Sequence, residues 1–571
     1  MEMKNLIHYI LLCSCIVFLS QCQATTNTSK RPNILLIVAD DLGYTDLGCY
    51  GSEILTPNID ALASIGARFS TFCTAPTCSP ARAMLLSGVS SHLSGFGTMT
   101  GDWADNQKGK RGYEGYLNFD IVTFPKLLED SGYHTSIAGK WHMSKPTEKD
   151  QWPINRGFTR SFCFMRGAAG HFHDKQAFLS FFKEAIYFKD STLVDTLPRD
   201  FYSSEHYANA AIEYINESKK EDKPFFHFLS FSAPHWPLQV KDEYLDLYKG
   251  QYNDGYEVLA KKRLKAAKEK GIIPSESNQA PMTPNVKPWI SLPNDEKLRS
   301  SKSMEIYAAM IERLDHHTGR VIEHLKSIGE YENTMIVFMA DNGAEGNSIM
   351  TYEDTAEWVA RTFDNSYDNM GRINSYIEVG AGWAQASSQP FKWYKAFATE
   401  GGIRAPAIIH YPKWSLNGGT IKEEYASIMD LAPTFLELAE VKHPGQIYNG
   451  RPIHSLQGKS IKAYVTDRAE SIHPEDEIHA WELYGRKSVR KGHWKIEWME
   501  EPYGSSNWEL YNLKADINQE HNLAQSNPKK LKELINGWLE YERENGVVLP
   551  DRPTAYANES YWNENKKETI K

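Results

Sequence analysis

Cysteine is scarce in this chain of 571 residues: seven in all, of which Cys13, Cys15 and Cys22 fall within the first 22 positions. The other four, Cys49, Cys73, Cys78 and Cys163, are too few for a disulfide framework. With Cys78 put to chemical use, at most one bridge could form among the remaining three. Cys49, Cys73 and Cys163 are therefore read as small buried hydrophobes. Surplus positive charge is also missing. The formal net charge is −10, which argues against a nucleic-acid partner and requires any anionic ligand to meet cations concentrated at one place. No apolar run reaches the length of a membrane span, so no transmembrane segment is expected. Internal repeats are lacking, and a Lys/Glu/Asn-rich tail follows Asn558. What remains is an ordinary globular composition, 41% hydrophobic and 24% charged. At this length it implies a large domain and a smaller one.

The first residues read as an export signal. Lys4 supplies a positive start, residues 6–19 are mostly apolar, and a polar run follows Cys22. Residues 1–22 are assigned to the signal, with periplasmic or secreted release. Leu19-Ser20-Gln21-Cys22 also resembles a bacterial lipoprotein cleavage site, although Gln21 stands where a small residue is expected. A lipid anchor through Cys22 stays open as the alternative.

Residues 34–39 form a continuous apolar, β-branched run, the mark of a strand covered on both faces, and it ends in Asp40-Asp41. Residues 335–340 repeat the design and end in Asp341-Asn342-Gly343. Carboxylates at the end of a buried strand are costly without a compensating cation. Open α/β sheets bind ligands outside the carboxyl ends of parallel strands. Two such ends could meet at one hard cation, and oxygen ligation favours Ca²⁺ or Mg²⁺ over zinc. The plainer alternative is that each acidic end caps a helix or turn; the matched pair favours the metal.

Further apolar runs lead into Gly139-Lys140-Trp141-His142 and Pro234-His235-Trp236-Pro237, and another follows Arg404. Helical patterns at residues 59–63, 124–128 and 304–325 lie between them. The alternation predicts an α/β fold, a large mostly parallel sheet sandwiched by helices. Residues 242–270 read as a charged, solvated helical cover. Residues 275–293 and 367–390 lack periodicity and read as long loops, which on a rigid sheet often line a substrate entrance. From about Glu475 short alternating strands appear at residues 478–484, 487–490, 494–498 and 508–513, with Arg486 and Lys491-Gly492 at turns. A helix then runs from Pro528 to about Asn545. The mature chain is divided into a catalytic domain over residues 31–470 and a smaller α+β subdomain, an antiparallel sheet plus helix, over 471–571.

Cys78-Ser79-Pro80-Ala81-Arg82 runs on through apolar helix formers to Ser87-Gly88. Proline is tolerated in a first helical turn, so Cys78 is placed near a helix N-terminus, where unpaired N–H groups and the dipole favour an anion. On these residues alone Cys78 stays open as a nucleophile, a disulfide half or a site of modification.

The same five residues match the C-x-P-x-R signature of the type I sulfatases of the alkaline phosphatase superfamily. The usual Thr-Gly end of the signature is Ser87-Gly88 here, which keeps the hydroxyl. Asp40-Asp41-Leu42-Gly43-Tyr44, Thr56-Pro57-Asn58-Ile59-Asp60, Gly139-Lys140-Trp141-His142, Asp341-Asn342-Gly343 and Glu400-Gly401-Gly402-Ile403-Arg404 match in order. The chain after the signal thus resembles this family over nearly its whole length. Gly112-Tyr113-Glu114-Gly115-Tyr116-Leu117 and Gln389-Pro390-Phe391-Lys392-Trp393-Tyr394-Lys395 resemble the bacterial arylsulfatase branch most.

The resemblance implies an alkaline phosphatase-like fold and a sulfuric ester hydrolase. Cys78 would be oxidised to formylglycine by a formylglycine-generating or sulfatase-maturing enzyme and hydrated to a diol whose hydroxyl attacks sulfur. A Ca²⁺ ion, less favourably Mg²⁺, would be held by Asp40, Asp41, Asp341, Asn342 and the modified Cys78. Arg82 would fix the diol, Lys140 would contact diol and sulfate, and His142 would take the second hydroxyl's proton. His235 and Lys395 would bind sulfate and serve the leaving alcohol. Plainer readings exist: Lys140 and His142 as supporting residues, His235 packed on Trp236, Lys395 as a solvated lysine. Lys392 lies close by, but the five-residue step from Lys395 to Glu400 selects Lys395. His227 reads as a satisfied strand residue. Export, 15 Trp and 30 Tyr fit a sulfated glycan or its oligosaccharides, with aryl sulfates as surrogates. The rivals are a phosphodiester or phosphonate monoester hydrolase of the same superfamily, and a non-catalytic sulfated-glycan-binding protein.

Overall fold

The first apolar run becomes strand β1, Asn33–Ala39, and every residue of it is buried. The computed structural model describes residues 30–351, 355–552 and 554. The expected signal with Cys22, and the tail after Asn558, lie outside the described residues. The described residues from Pro32 onward form one compact unit.

Ten strands make the main sheet. The others are β2, Ala67–Phe69; β3, His134–Lys140; β4, Arg160–Phe164; β5, Tyr187–Lys189; β6, Thr192–Leu193; β7, Phe225–Ser230; β8, Thr334–Ala340; β9, Ala407–His410; and β10, Thr420–Lys422. Their spatial order is β10-β2-β9-β8-β1-β7-β3-β4-β5-β6. The five central strands, β8 through β4 in that order, are parallel, and antiparallel pairings flank them on both sides. The period of two along β1 sends its side chains into two separate cores. Leu35, Ile37 and Ala39 join helices α4, Ser203–Lys220, and α6, Asn294–Ser327. Ile34, Leu36 and Val38 join α2, Cys78–Ser87, α3, Phe124–Asp130, and α8, Leu431–Leu438. Helices α1, Pro57–Ile65, and α5, Tyr256–Glu269, complete the first layer. Among the described residues no helix is long and apolar enough to cross a membrane.

The C-terminal sheet is antiparallel: β11, Ile478–Leu483; β12, Arg486–Lys491; β13, Trp494–Trp498; and β14, Glu509–Asn512. Val489, Ile496 and Leu510 on one face bury Leu534 and Trp538 of α9, Pro528–Asn545. Trp481 faces the core and donates from its indole nitrogen to Thr74 O at 2.8 Å.

Three local readings are corrected. Residues 367–390 are not all loop: α7, Ala381–Ser387, forms inside them. Its Trp383 closes an edge-on aromatic cluster with Tyr252, Tyr256 and Trp289, so tertiary packing sustains a helix too short to show periodicity. Arg486 is not at the turn but opens β12. Tyr484 and Gly485, at φ 57° and 87°, make the turn, and both positive values suit a tight hairpin. The cover at residues 242–270 is not wholly solvated, because Arg263 of α5 is buried on Asp46 and Glu53. Cys49, Cys73 and Cys163 are buried and, among the described residues, free.

Candidate active site

Parallel register sets Ala39 of β1 beside Ala340 of β8, so both acidic strand ends open at one place. Asp341 N–H donates to Ala39 O at 3.2 Å. Asp41 turns out of the strand at φ 65°, and its N–H donates to Asp341 Oδ1 at 3.3 Å. Asn342 Nδ2 donates to Asp41 Oδ1 at 2.6 Å. Asp40, Asp41, Asp341 and Cys78 each present a ligand atom, all within 4.8 Å of one another.

Helix α2 begins at Cys78, with Pro80 as its third residue, and it is buried throughout. Cys78 Sγ faces Asp41 Oδ1 at 3.7 Å. Burial pushes this thiol's pKa well up; Lys140 and Lys395 oppose that and Asp41 adds to it. A plain thiolate is therefore disfavoured here. One turn on, Arg82 Nε donates to Asp341 Oδ2 at 2.9 Å, and Nη1 donates to Ser230 Oγ at 2.6 Å and Lys140 O at 3.1 Å. Ser230 ends β7 tight against Gly139, where an added Cβ would stand 1.8 Å from Ser230 O at a φ of 114°. Only glycine allows that approach.

Lys140 leaves β3 to bind both Asp40 oxygens at 2.8 and 2.7 Å. Burial pushes the Asp40 carboxyl up to about 8 against the pull of Lys140, with Asp341 and Asp41 adding repulsion. Lys395 Nζ lies 2.8 Å from Asp41 Oδ2, 2.8 Å from Glu345 Oε2 and 3.4 Å from His235 Nε2. His235 Nδ1 is 2.7 Å from Trp236 O. A carbonyl only accepts, so the proton sits on Nδ1 and the lone pair on Nε2 faces the site. Burial, then Lys395 and Lys140, push its pKa well down. His142 sits at φ 57°, its ring against Gly167 and its Nδ1 buried without a partner among the described residues. Burial, then Lys140, Arg82 and Lys395, hold it far below the usual histidine range. Both imidazoles are thus held neutral.

The arrangement assembles residues from four strand ends, one helix and the loop that carries Lys395. It can hold a hard cation on carboxylates, neutralise a tetrahedral anion with Lys140, Arg82 and Lys395, and move protons through His142, His235 and Lys395. Lys392, the near competitor of Lys395, instead points to Tyr511 at 3.3 Å and Glu509 at 3.8 Å. His227 Nδ1 bonds Ser136, but among the described residues its buried Nε2 has no partner, so it is only half satisfied. Glu345 was missed from sequence; its one signal was a carboxylate three residues after Asn342. Ser230 and His171 were missed as well. His171 Nε2 lies 3.2 Å from His235 O and its Nδ1 2.6 Å from Ser203 Oγ, bracing the loop that carries His235.

Residues 32–441 match the family model described as Sulfatase. Residues 390–544 match the one described as N-sulphoglucosamine sulphohydrolase, C-terminal. An uncharacterized sulfatase of Schizosaccharomyces pombe is 42% identical over 92% of this chain and 96% of its own length. An arylsulfatase of Klebsiella aerogenes is 38% identical over 77% of this chain and 94% of its own length. The crystal structure of Ps i-CgsB in complex with k-i-k-neocarrahexaose superposes with a TM-score of 0.64 at 25% identity, covering 94% of this chain and 98% of that one.

Proposed function

The chain belongs to the sulfatase family and is a sulfuric ester hydrolase, and from that premise we propose that it releases sulfate from a sulfated polysaccharide or its oligosaccharides. The nucleophile is a formylglycine made from Cys78, and a Ca²⁺ ion serves the carboxylate cluster. The observation that carries the reading is the convergence of Cys78, three carboxylates and the cations Lys140, Arg82 and Lys395 at one buried point.

The donor set fits a hard cation. Asn342 Oδ1 is buried with no partner among the described residues, and Asp40, Asp41 and Asp341 supply three carboxylates. The Cys78 sulfur is the one soft atom among them, and an oxygen in its place would make the set uniform. Ca²⁺ bound there would screen the repulsion between substrate sulfate and nucleophile. A hydrated aldehyde at position 78 would offer one hydroxyl to sulfur and a second whose proton must leave.

The side chains supply the rest. Lys140, Arg82 and Lys395 neutralise the charge that grows on the sulfuryl oxygens. Arg82 is held in plane by Asp341 and Ser230, so it orients the position-78 side chain at little entropic cost. Neutral His142 accepts the second hydroxyl's proton, which lets the covalent sulfate depart. His235 carries no proton on Nε2, so the Lys395 ammonium beside it is the donor to the leaving alcohol.

Sulfate release from defined sulfated oligosaccharides tests the substrate class. We expect kcat/KM on at least one oligosaccharide to exceed that on small aryl sulfates; activity confined to aryl esters overturns the assignment. Aryl phosphodiesters run in parallel should be poor substrates. Export through residues 1–22 is part of the reading, and N-terminal sequencing of periplasmic or secreted protein tests it, since an intact signal on cytosolic protein contradicts it.

A further inference from the structure

A second cluster of metal-ligating side chains lies where the C-terminal sheet meets the core. His473 and Glu477 stand in the segment that leads into β11, and His479 is the second residue of that strand. One ring nitrogen of each histidine and one Glu477 oxygen lie within 4.8 Å of one another. His473 Nδ1 is 3.1 Å from Glu477 Oε1. Two ligands bound at about 2.0–2.2 Å to a tetrahedral ion sit ~3.3 Å apart, so this pair already stands near its coordinated separation. His473 Nε2 is 2.9 Å from Oδ2 of Asp430, a fully buried residue just ahead of α8. Ligating histidines ordinarily give their other N–H to a carboxylate, which fixes tautomer and ring plane. Lys459 holds the second Glu477 oxygen and leaves Oε1 turned to the histidines.

An independent observation comes from His479. It is only 9% exposed. Its ring touches Tyr425 and His473, yet among the described residues neither of its nitrogens has a hydrogen-bond partner. A cavity of about 300 Å³, lined by His473, Glu477 and His479, opens beside the ring and has room for water.

We propose that His473, Glu477 and His479 form a site for a tetrahedral divalent ion of the zinc class, with Asp430 orienting His473 and a water as fourth ligand. Two imidazoles and one carboxylate suit Zn²⁺ and not Ca²⁺, so this site and the oxygen-rich cluster select different metals. The ion fastens β11 to the Asp430 corner of the core. Trp481, two residues beyond His479 on the same face of β11, bonds Thr74 in the segment leading to Cys78. The site thereby stiffens the support beneath helix α2.

The test uses the full-length Cys78→Ala protein, in which the active-site donor set is incomplete, titrated with Co²⁺. We expect the intense visible bands of tetrahedral cobalt, saturating at one equivalent and bleached by Zn²⁺. Adding His479→Ala or Glu477→Gln should weaken Zn²⁺ binding by about 100-fold or more and abolish the rise in Tm that Zn²⁺ produces. Only pale octahedral colour in the Cys78→Ala protein, a result that needs neither further variant to fold, overturns the site. So does unchanged Zn²⁺ affinity in both variants. Either result leaves His473 as a ring that bridges Asp430 and Glu477 by hydrogen bonds alone.

Discussion

The Lys395 ammonium lies 2.8 Å from the Asp41 carboxylate, although 354 positions separate the two in the chain. Each stands at a backbone bend that non-glycine residues rarely adopt: Asp41 itself at φ 65°, and Ala396 beside Lys395 at φ 72°. Such positions cost about 1–3 kcal/mol each, and the surrounding packing must hold them. Glu345 grips the same ammonium from the other side, so Lys395 is aimed by two carboxylates before any substrate arrives.

That aiming separates two lysines. Lys395→Ala should lower kcat/KM by about 10²- to 10³-fold, the scale of a lost general acid. Glu345→Gln should cost about tenfold, mostly in kcat, or ~1.4 kcal/mol of transition-state stabilisation. Lys392→Ala should leave kcat/KM near wild type and lower Tm, because its partners are Tyr511 and Glu509. Steady-state kinetics on an aryl sulfate decide the matter; equal losses for the two lysines would refute the assignment.

Modification at position 78 has a direct readout. Peptide mass spectrometry across Cys78 should find the thiol replaced by an aldehyde in active preparations, with activity proportional to the modified fraction. Cys78→Ala should lose at least about 10³-fold in kcat, as removal of a covalent nucleophile does. Full turnover by that variant would sink the mechanism.

The carboxylate cluster predicts a metal dependence of defined selectivity. A calcium chelator should abolish turnover, and Ca²⁺ should restore it better than Mg²⁺, since a site with this many oxygens suits the larger ion. Asp341→Asn should weaken apparent Ca²⁺ affinity by about tenfold or more through loss of one ligand charge. Calorimetric titration of the chelated protein reads both effects, and equal rescue by the two ions would contradict the assignment.

Glu400 ties the acid stability of the molecule to its two sheets. Burial works to raise its pKa, but Lys495, Arg404 and Arg490 outweigh burial and hold it far below its ordinary 4.5. Because the folded value lies below the unfolded one, the stabilisation is present above about pH 4.5 and drains away as pH falls toward the folded value. Glu400→Gln should cost about 3–5 kcal/mol at neutral pH, since it leaves buried cations unpaired. It should also flatten the fall of Tm below pH 4.5, which thermal melts across pH would show.

Much of the framework was legible before any coordinates. The runs before Asp40 and Asp341 are apolar on every residue, and only a doubly covered strand needs that. Residues 528–545 show a plain amphipathic period and form α9. Helix α7 was illegible because one short turn-pair carries no period, and its stability comes from Tyr252, Tyr256 and Trp289 elsewhere in the chain. The Tyr484-Gly485 turn hid because tyrosine does not announce a positive φ.

The sequence by itself determined the parallel α/β layout, the identity of the two acidic strand ends and the helix behind Cys78, because periodicity, strand-end chemistry and capping are local. Tertiary structure alone decided that Glu345 and Ser230 steer Lys395 and Arg82, and that His473, Glu477 and His479 meet around one point. Those choices depend on distances between side chains on different strands and loops. The strand register that sets such distances follows from burying two cores at once, and no local pattern encodes it.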